Sequence, residues 1–136
     1  MTIQEKRDTL REHLELLPDT EERLRYLLDA AKDVKPMSQE LHLEQYLIPG
    51  CVSQLWLIPE YRDGRCYFQI DADAVITKGI AAVVCGLYDG ETPQDILDTD
   101  IEFLGEVGVK QALSPNRRNG LSSLHKHITE FAKAQL

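Results

Sequence analysis

Three cysteines are the side chains best suited to covalent chemistry in this sequence: Cys51, Cys66 and Cys85. A thiolate is a strong nucleophile, and its reactivity follows exposure and pKa. Cys85 lies in the most apolar stretch of the chain and reads as a small buried hydrophobe. Cys66 shares its side of an alternating segment with Phe68 and Ile70, which also predicts core packing. Cys51 differs, because Pro49-Gly50 comes immediately before it and an apolar strand pattern follows. Glycine beside the cysteine permits a tight backbone and leaves the sulfur open to approach. A thiol at such a turn is either incidental or reactive, and position alone leaves both readings open.

Other chemistries find less support. The cysteine spacings are long and irregular, with no C-x-x-C pair, so no zinc or cluster site is expected. His125 and His127 stand two apart in a helical pattern, so they face different directions and read as surface residues. His13 and His42 carry no partner signal. A peptidase-type use of Cys51 would need a nearby His and an orienting Asn or Asp, and no local signature supplies them. There is no phosphate-binding glycine loop, and Gly105 and Gly108 read as isolated turn residues.

The elements that must position these residues follow from the pattern. The 136 residues suit one domain, 1–136, long enough to fold without a disulfide or metal. The net charge of −8 opposes binding to nucleic acid and to anionic membrane surfaces. No apolar run is long enough to span a membrane, and the N-terminal residues lack a signal-peptide core, so a cytoplasmic protein with free thiols is expected. Thr2 and Glu5 form a capping-box pattern ahead of Leu10, Leu14 and Leu17, and Pro18 ends that helix. Asp19 and Glu22 start a second helix, which runs to about Asp33.

Leu41, Leu43, Tyr46 and Ile48 predict a short edge strand. Val52 and Leu55–Ile58 predict a strand with Pro59 near its end, and Asp63-Gly64 a hairpin turn into a return strand through Cys66, Phe68 and Ile70. Asp73 is placed to cap a third helix, Ala74–Tyr88, which is apolar nearly all round and therefore reads as a core helix. Lys78 interrupts it and is expected to reach the surface or pair with an acid. Trp56 reads as core. Thr92-Pro93 and Ser114-Pro115 each mark a helix start, the second leading a long C-terminal helix through Leu121, Leu124, Ile128 and Phe131. The order predicts an α+β fold: a small antiparallel sheet of about three strands packed by helices.

The stretch Ile48-Pro49-Gly50-Cys51-Val52-Ser53-Gln54-Leu55-Trp56 resembles the P-G-C-x-S-x-x-W signature of the SufE family, sulfur-acceptor proteins of iron–sulfur cluster biogenesis. Asp73-Ala74-Val75-Ile76-Thr77-Lys78-Gly79 is similar to the family's D-A-x-x-x-K-G segment. Leu87-Tyr88 with Thr92-Pro93 and Asp95 resembles its L-Y-x-x-x-T-P-x-D stretch, and the residues from Leu113 to Leu121 its L-S-P-x-R-x-x-G-L motif. The resemblance runs from about Asp19 into the C-terminal helix. Two departures are small: Val52 stands where many members have Gln, and Ala72 where Ser is frequent before the Asp.

The resemblance implies that Cys51 accepts a persulfide sulfur from a cysteine desulfurase of the SufS type and hands it to a cluster-assembly scaffold. Pyridoxal phosphate would belong to that partner, so no cofactor and no metal are expected on this chain. A partner-docking surface is expected around Gly50, Ser53, Gln54, Asp73 and Arg117. Arg117 opposes the dipole in the first turn of its helix, a mild misfit that suggests a partner or an internal carboxylate. The sulfur also needs shielding, for which Leu55, Trp56 and the apolar helix are the candidates. A reading of a different class is an adaptor that binds cluster-assembly proteins without carrying sulfur.

Overall fold

The computed structural model describes residues 2–50 and 53–136. Cys51 and Val52, and with them the predicted nucleophile and the predicted start of the first strand, lie outside the described residues. Helix α1 spans Ile3–Glu15, and the predicted capping box is formed, with Glu5 N–H donating to Thr2 Oγ1 at 3.1 Å. Helix α2 spans Thr20–Lys32, capped by Asp19. Strands β1 (Leu55–Arg62) and β2 (Arg65–Ala72) form an antiparallel hairpin. Asp63 and Gly64, both with positive φ, make its turn. Helix α3 (Val75–Tyr88) follows, then three short helices, α4 (Pro93–Leu97), α5 (Phe103–Glu106) and α6 (Val109–Ala112), and the long α7 (Pro115–Ala134).

Helix α3 is the hub, packed against α1, α2, β2 and α7. That position explains its all-round apolarity: Ile80, Ala81, Val84, Cys85, Leu87 and Tyr88 are all buried. Its approach to α2 is so close that a Cβ on Gly79 would lie 2.0 Å from the Leu27 carbonyl oxygen, so only glycine fits there. One continuous buried cluster runs from Ile3 through the hairpin to Ala132. The fold is thus α+β, as the segregated patterns predict.

The sheet has two strands rather than about three. The predicted edge strand over 41–48 is replaced by two 3₁₀ turns, Gln39–Leu41 and Glu44–Tyr46. Their amides bond locally, His42 N–H to Gln39 O and Leu47 N–H to Glu44 O, which leaves no ladder to extend. Only the end of the segment pairs, through a bridge of Leu47 to Trp56 and an Ile48 N–H bond to Leu55 O at 2.8 Å. On the other side Cys66 bridges Glu91 in the same isolated way. Pro59 does not end β1, which continues to Arg62. Asp73 does not cap α3 either. Ala74 occupies the N-cap position, with no side-chain hydrogen bond, and the Asp73 carboxylate is used elsewhere.

Candidate functional site

The residues on either side of 51–52 are tied to α7, to α3 and to the turn between β2 and α3. Upstream, the Ser123 hydroxyl on α7 donates to Pro49 O at 2.6 Å. Gly50 follows with φ of +86°, a conformation that disfavours any side chain and lets the backbone turn. Downstream, Ser53 Oγ and Thr77 Oγ1 on α3 share a hydrogen bond at 2.7 Å. Next, Gln54 N–H donates to Asp73 Oδ1 at 2.9 Å, and Asp73 N–H returns a bond to Gln54 O at 3.1 Å.

The Gln54–Asp73 exchange has a structural logic. The hairpin register pairs Leu55 with Ala72, so Gln54 and Asp73 would be the next pair. An antiparallel hydrogen-bonded pair exchanges two backbone bonds. Here one backbone bond survives, and the carboxylate replaces the Asp73 carbonyl just before the chain turns into α3. The ladder therefore reaches one residue beyond the strands, close to Cys51.

Ser53 borders a cavity of about 210 Å³. Its buried lining is apolar apart from Thr77: Leu55, Ile80, Leu121 and Leu124. Its exposed lining is Ser114, Asn116 and Arg117, from the start of α7. Ser114 caps that helix by accepting from Arg117 N–H at 3.3 Å. The structure thus gathers all five residues of the expected docking surface in one region. Gly50 faces Ser123, Ser53 and Arg117 share the cavity, and Gln54 is bonded to Asp73. Of the predicted shields, Leu55 and the helix line the cavity. Trp56 is buried but lines it nowhere.

The other two thiols are sealed. Cys66 is fully buried and Cys85 nearly so, and burial pushes both thiols up, with the Asp89 charge adding to the effect at Cys85. Neither supplies thiolate near neutral pH. A larger groove of about 720 Å³ lies between α1, α2, β2 and α3, and among the described residues none of the predicted site residues lines it. Among the described residues no group of three or more His, Cys, Asp or Glu side chains could hold a metal ion, and no helix is long and apolar enough to cross a membrane.

The histidines required structure to place. His42 Nε2 lies 2.6 Å from Asp71 Oδ2, and Lys78 Nζ lies 3.1 Å from the other carboxylate oxygen, so Lys78 does pair with an acid. Burial raises the Asp71 carboxyl, but hydrogen bonds from His42 and Lys78 outweigh it and hold the group below its ordinary value. His42 also packs edge-on against Trp56, with ring centroids 4.5 Å apart. The segment leading to Cys51 is therefore pinned to the sheet, through a residue whose sequence context gave no sign of a partner. His125 and His127 are half-buried rather than surface residues. His125 Nε2 donates to the Tyr88 hydroxyl, which itself donates to Thr99 O, and His127 Nδ1 donates to Ser123 O.

Comparison with known proteins points the same way. Residues 8–132 match the SufE family, described as an Fe–S metabolism associated domain. An uncharacterized SufE-like protein of Rhizobium etli is 32% identical over 124 residues, covering 88% of this chain and 84% of that one. An uncharacterized SufE-like protein of Synechocystis is 31% identical over 116 residues, covering 85% and 73%. The solution structure of a hypothetical protein from Thermus thermophilus superposes with a TM-score of 0.79 at 21% identity, over 95% of this chain and 94% of that one, a likeness of fold.

Proposed function

The chain belongs to the SufE family, a family associated with Fe–S metabolism, and from that premise we propose that Cys51 is a sulfur acceptor. The donor is a persulfide on a cysteine desulfurase partner of the SufS type, and the recipient a scaffold on which clusters are assembled. The Cys51 thiolate attacks the outer sulfur of the donor persulfide. A new S–S bond forms to Cys51, the donor's S–S bond breaks, and the electron pair leaves with the donor's thiolate. The sulfur moves without net oxidation or reduction, as in thiol–disulfide exchange. Pyridoxal phosphate would act in the partner when it generates the persulfide, so the reaction asks nothing of this chain beyond one thiol and a surface.

One contrast carries the reading: Cys66 and Cys85 are locked in the core, while the flanks of Cys51 meet at the surface beside an apolar cavity. A carrier needs that combination. The thiol must reach a second protein, and the sulfur it receives must be kept from small thiols and oxidants. The cavity offers the apolar shelter, and the exposed Gln54, Asp73 and Arg117 offer polar contacts for a partner.

The test is an intact mass spectrum under non-reducing conditions after incubation with free cysteine and the host's desulfurase. Wild-type protein gains one or more sulfur atoms at Cys51, and Cys51→Ser gains none and loses all stimulation of the desulfurase. A Cys51→Ser variant that keeps full stimulation, with no sulfur on the wild type, refutes the carrier and indicates an adaptor.

A further inference from the structure

The larger groove runs along the outer edge of β2, away from Cys51, and that edge is only partly paired. The Gln54–Asp73 exchange and the hairpin register fix which backbone groups face outward: those of Cys66, Phe68 and Ile70. Cys66 N–H donates to Glu91 O at 2.8 Å, and Gly90 N–H donates to Cys66 O at 2.7 Å. Phe68 N–H donates to Asp89 Oδ1 at 2.8 Å. There the pairing stops. The residue that would face Ile70 is Leu87, which already belongs to α3. Among the described residues, the Phe68 carbonyl and both backbone groups of Ile70 meet no partner, and Phe68 and Ile70 line the groove. We propose that this groove is a docking site for an extended, apolar, uncharged peptide segment of a partner protein, which adds to the free edge of β2 as a third strand.

Three observations define that occupant. An unpaired strand edge is matched by the backbone of an extended peptide, which donates to and accepts from it in turn. The other edge of the hairpin is closed to this: Leu47 and Ile48 cover its start, and Pro59 further along has no N–H to offer. The groove floor is the one open face of α3, where Ala82 and Val83 are half-buried and Gly86 is exposed. A Cβ at Gly86 would meet no atom within 4 Å, so packing does not demand glycine there, in contrast to Gly79. Glycine inside a helix is destabilising relative to alanine, and here it leaves depth for a side chain from above. Charge decides the peptide's character. Lys6 and Lys35 stand against Asp33 and Asp89 along the groove, two cations against two anions, in a chain of net charge −8. A charged side chain entering this neutral, apolar groove would lose hydration without gaining a counter-charge, whereas an uncharged one loses nothing.

Amide hydrogen exchange by NMR tests the edge first. In the free protein, Ile70 N–H should exchange at least about tenfold faster than Tyr67 and Gln69, whose amides lie in the ladder with β1. Ile70 protection equal to that of Gln69 overturns the open edge. The probe for docking is a set of end-blocked heptapeptides selected against the protein from a random displayed library. Bound peptides should slow Ile70 exchange, carry β-branched or aromatic residues at alternate positions, and lack charge at their three central residues. Gly86→Leu, which fills the floor, should weaken them about tenfold or more. Gly86→Ala and Gly86→Leu should melt at or above wild type, which separates blocking from unfolding. Failure to select any peptide, selected peptides that leave Ile70 exchange unchanged, or equal affinity for Gly86→Leu each overturn the proposal. So does Ile70 protection that grows with the protein's own concentration, which would assign the edge to a second copy of the chain. The groove and the sulfur reading stand or fall separately, because no arm of this experiment uses Cys51.

Discussion

The Asp73 carboxylate stands in for a backbone carbonyl, and removing it tests how Gln54 is tethered to the hairpin. Asp73→Ala deletes the acceptor of the Gln54 N–H bond at 2.9 Å and leaves the return bond from Asp73 N–H to Gln54 O in place. A hydrogen bond to a charged acceptor is worth roughly 1.5–3 kcal/mol net when shielded. Both partners are exposed here, so water replaces part of the loss, and about 1 kcal/mol remains. That is about a fivefold rise in the population with the Gln54 amide open, since 1.4 kcal/mol corresponds to tenfold. Amide hydrogen exchange followed by NMR reads it directly. Gln54 should exchange about fivefold faster in Asp73→Ala and about twofold faster in Asp73→Asn, whose neutral oxygen still accepts. The interior ladder amides of β1 and β2 serve as the reference. Gln54 exchange equal to wild type in Asp73→Ala would refute the claim that the carboxylate extends the ladder. A uniform increase across β1 and β2 would refute it too, because the residue would then act on the whole hairpin.

Other expectations follow from the same contacts. Gly79→Ala puts a methyl group 2.0 Å from the Leu27 carbonyl oxygen and 2.7 Å from its carbon, both backbone atoms, so α2 and α3 must separate. The cost is about 3 kcal/mol, the upper end for overpacking, or roughly 10 °C in Tm, and a melt within about 2 °C of wild type would count against the close approach. Stability should fall with acid in two stages. Burial lowers the His125 pKa below its ordinary 6.5, against the opposing pull of Asp100 and Glu102. The unfolded chain therefore binds that proton more tightly, and stability drops as pH falls below about 6.5. Asp71 is shifted the other way for folding, since its lowered carboxyl stabilises the fold above its ordinary 3.8 and that share is lost as pH falls further. Urea melts from mildly alkaline to acid pH should show the first stage vanish in His125→Gln and the second shrink in His42→Gln. Identical pH profiles for all three proteins would rule out both assignments.

What could be read from sequence, and what could not, divides along physical lines. Thr2, Asp19, Thr92 and Ser114 act locally, through a bond to an amide three residues on, and each predicted helix start is where the residue pattern puts it. The all-round apolarity of α3 likewise identified its central place. Asp73 shows the limit of the same rule. It has the residue type and position of a cap, but the hairpin register brings Gln54 N–H within reach, and that long-range donor wins. The apolar spacing of Leu41 to Ile48 similarly suggested a strand, because spacing cannot show that 3₁₀ turns satisfy those amides locally. His42 and Thr77 were invisible as partners for another reason. Their bonds to Asp71 and Ser53 span 29 and 24 residues and leave no local mark.

The tethers around Cys51 grade in strength with distance from it. Farthest upstream, His42 meets Asp71 in a half-buried contact that also involves Lys78, an arrangement stronger than a neutral hydrogen bond. Nearer, Ile48 and Leu47 pair with β1 through backbone bonds. Nearest of all, at Pro49 and Ser53, the bonds among the described residues are single neutral hydroxyl bonds. Breaking the two inner bonds costs about 1 kcal/mol each, while breaking the outer ones would also leave the Asp71 carboxylate short of a partner. The bonds at Pro49 and Ser53 are therefore easier to break than the pairing at Leu47 and at Asp73. On the proposed function, that gradient lets a thiol be handed to a second protein while the cavity walls and the sheet stay as they are.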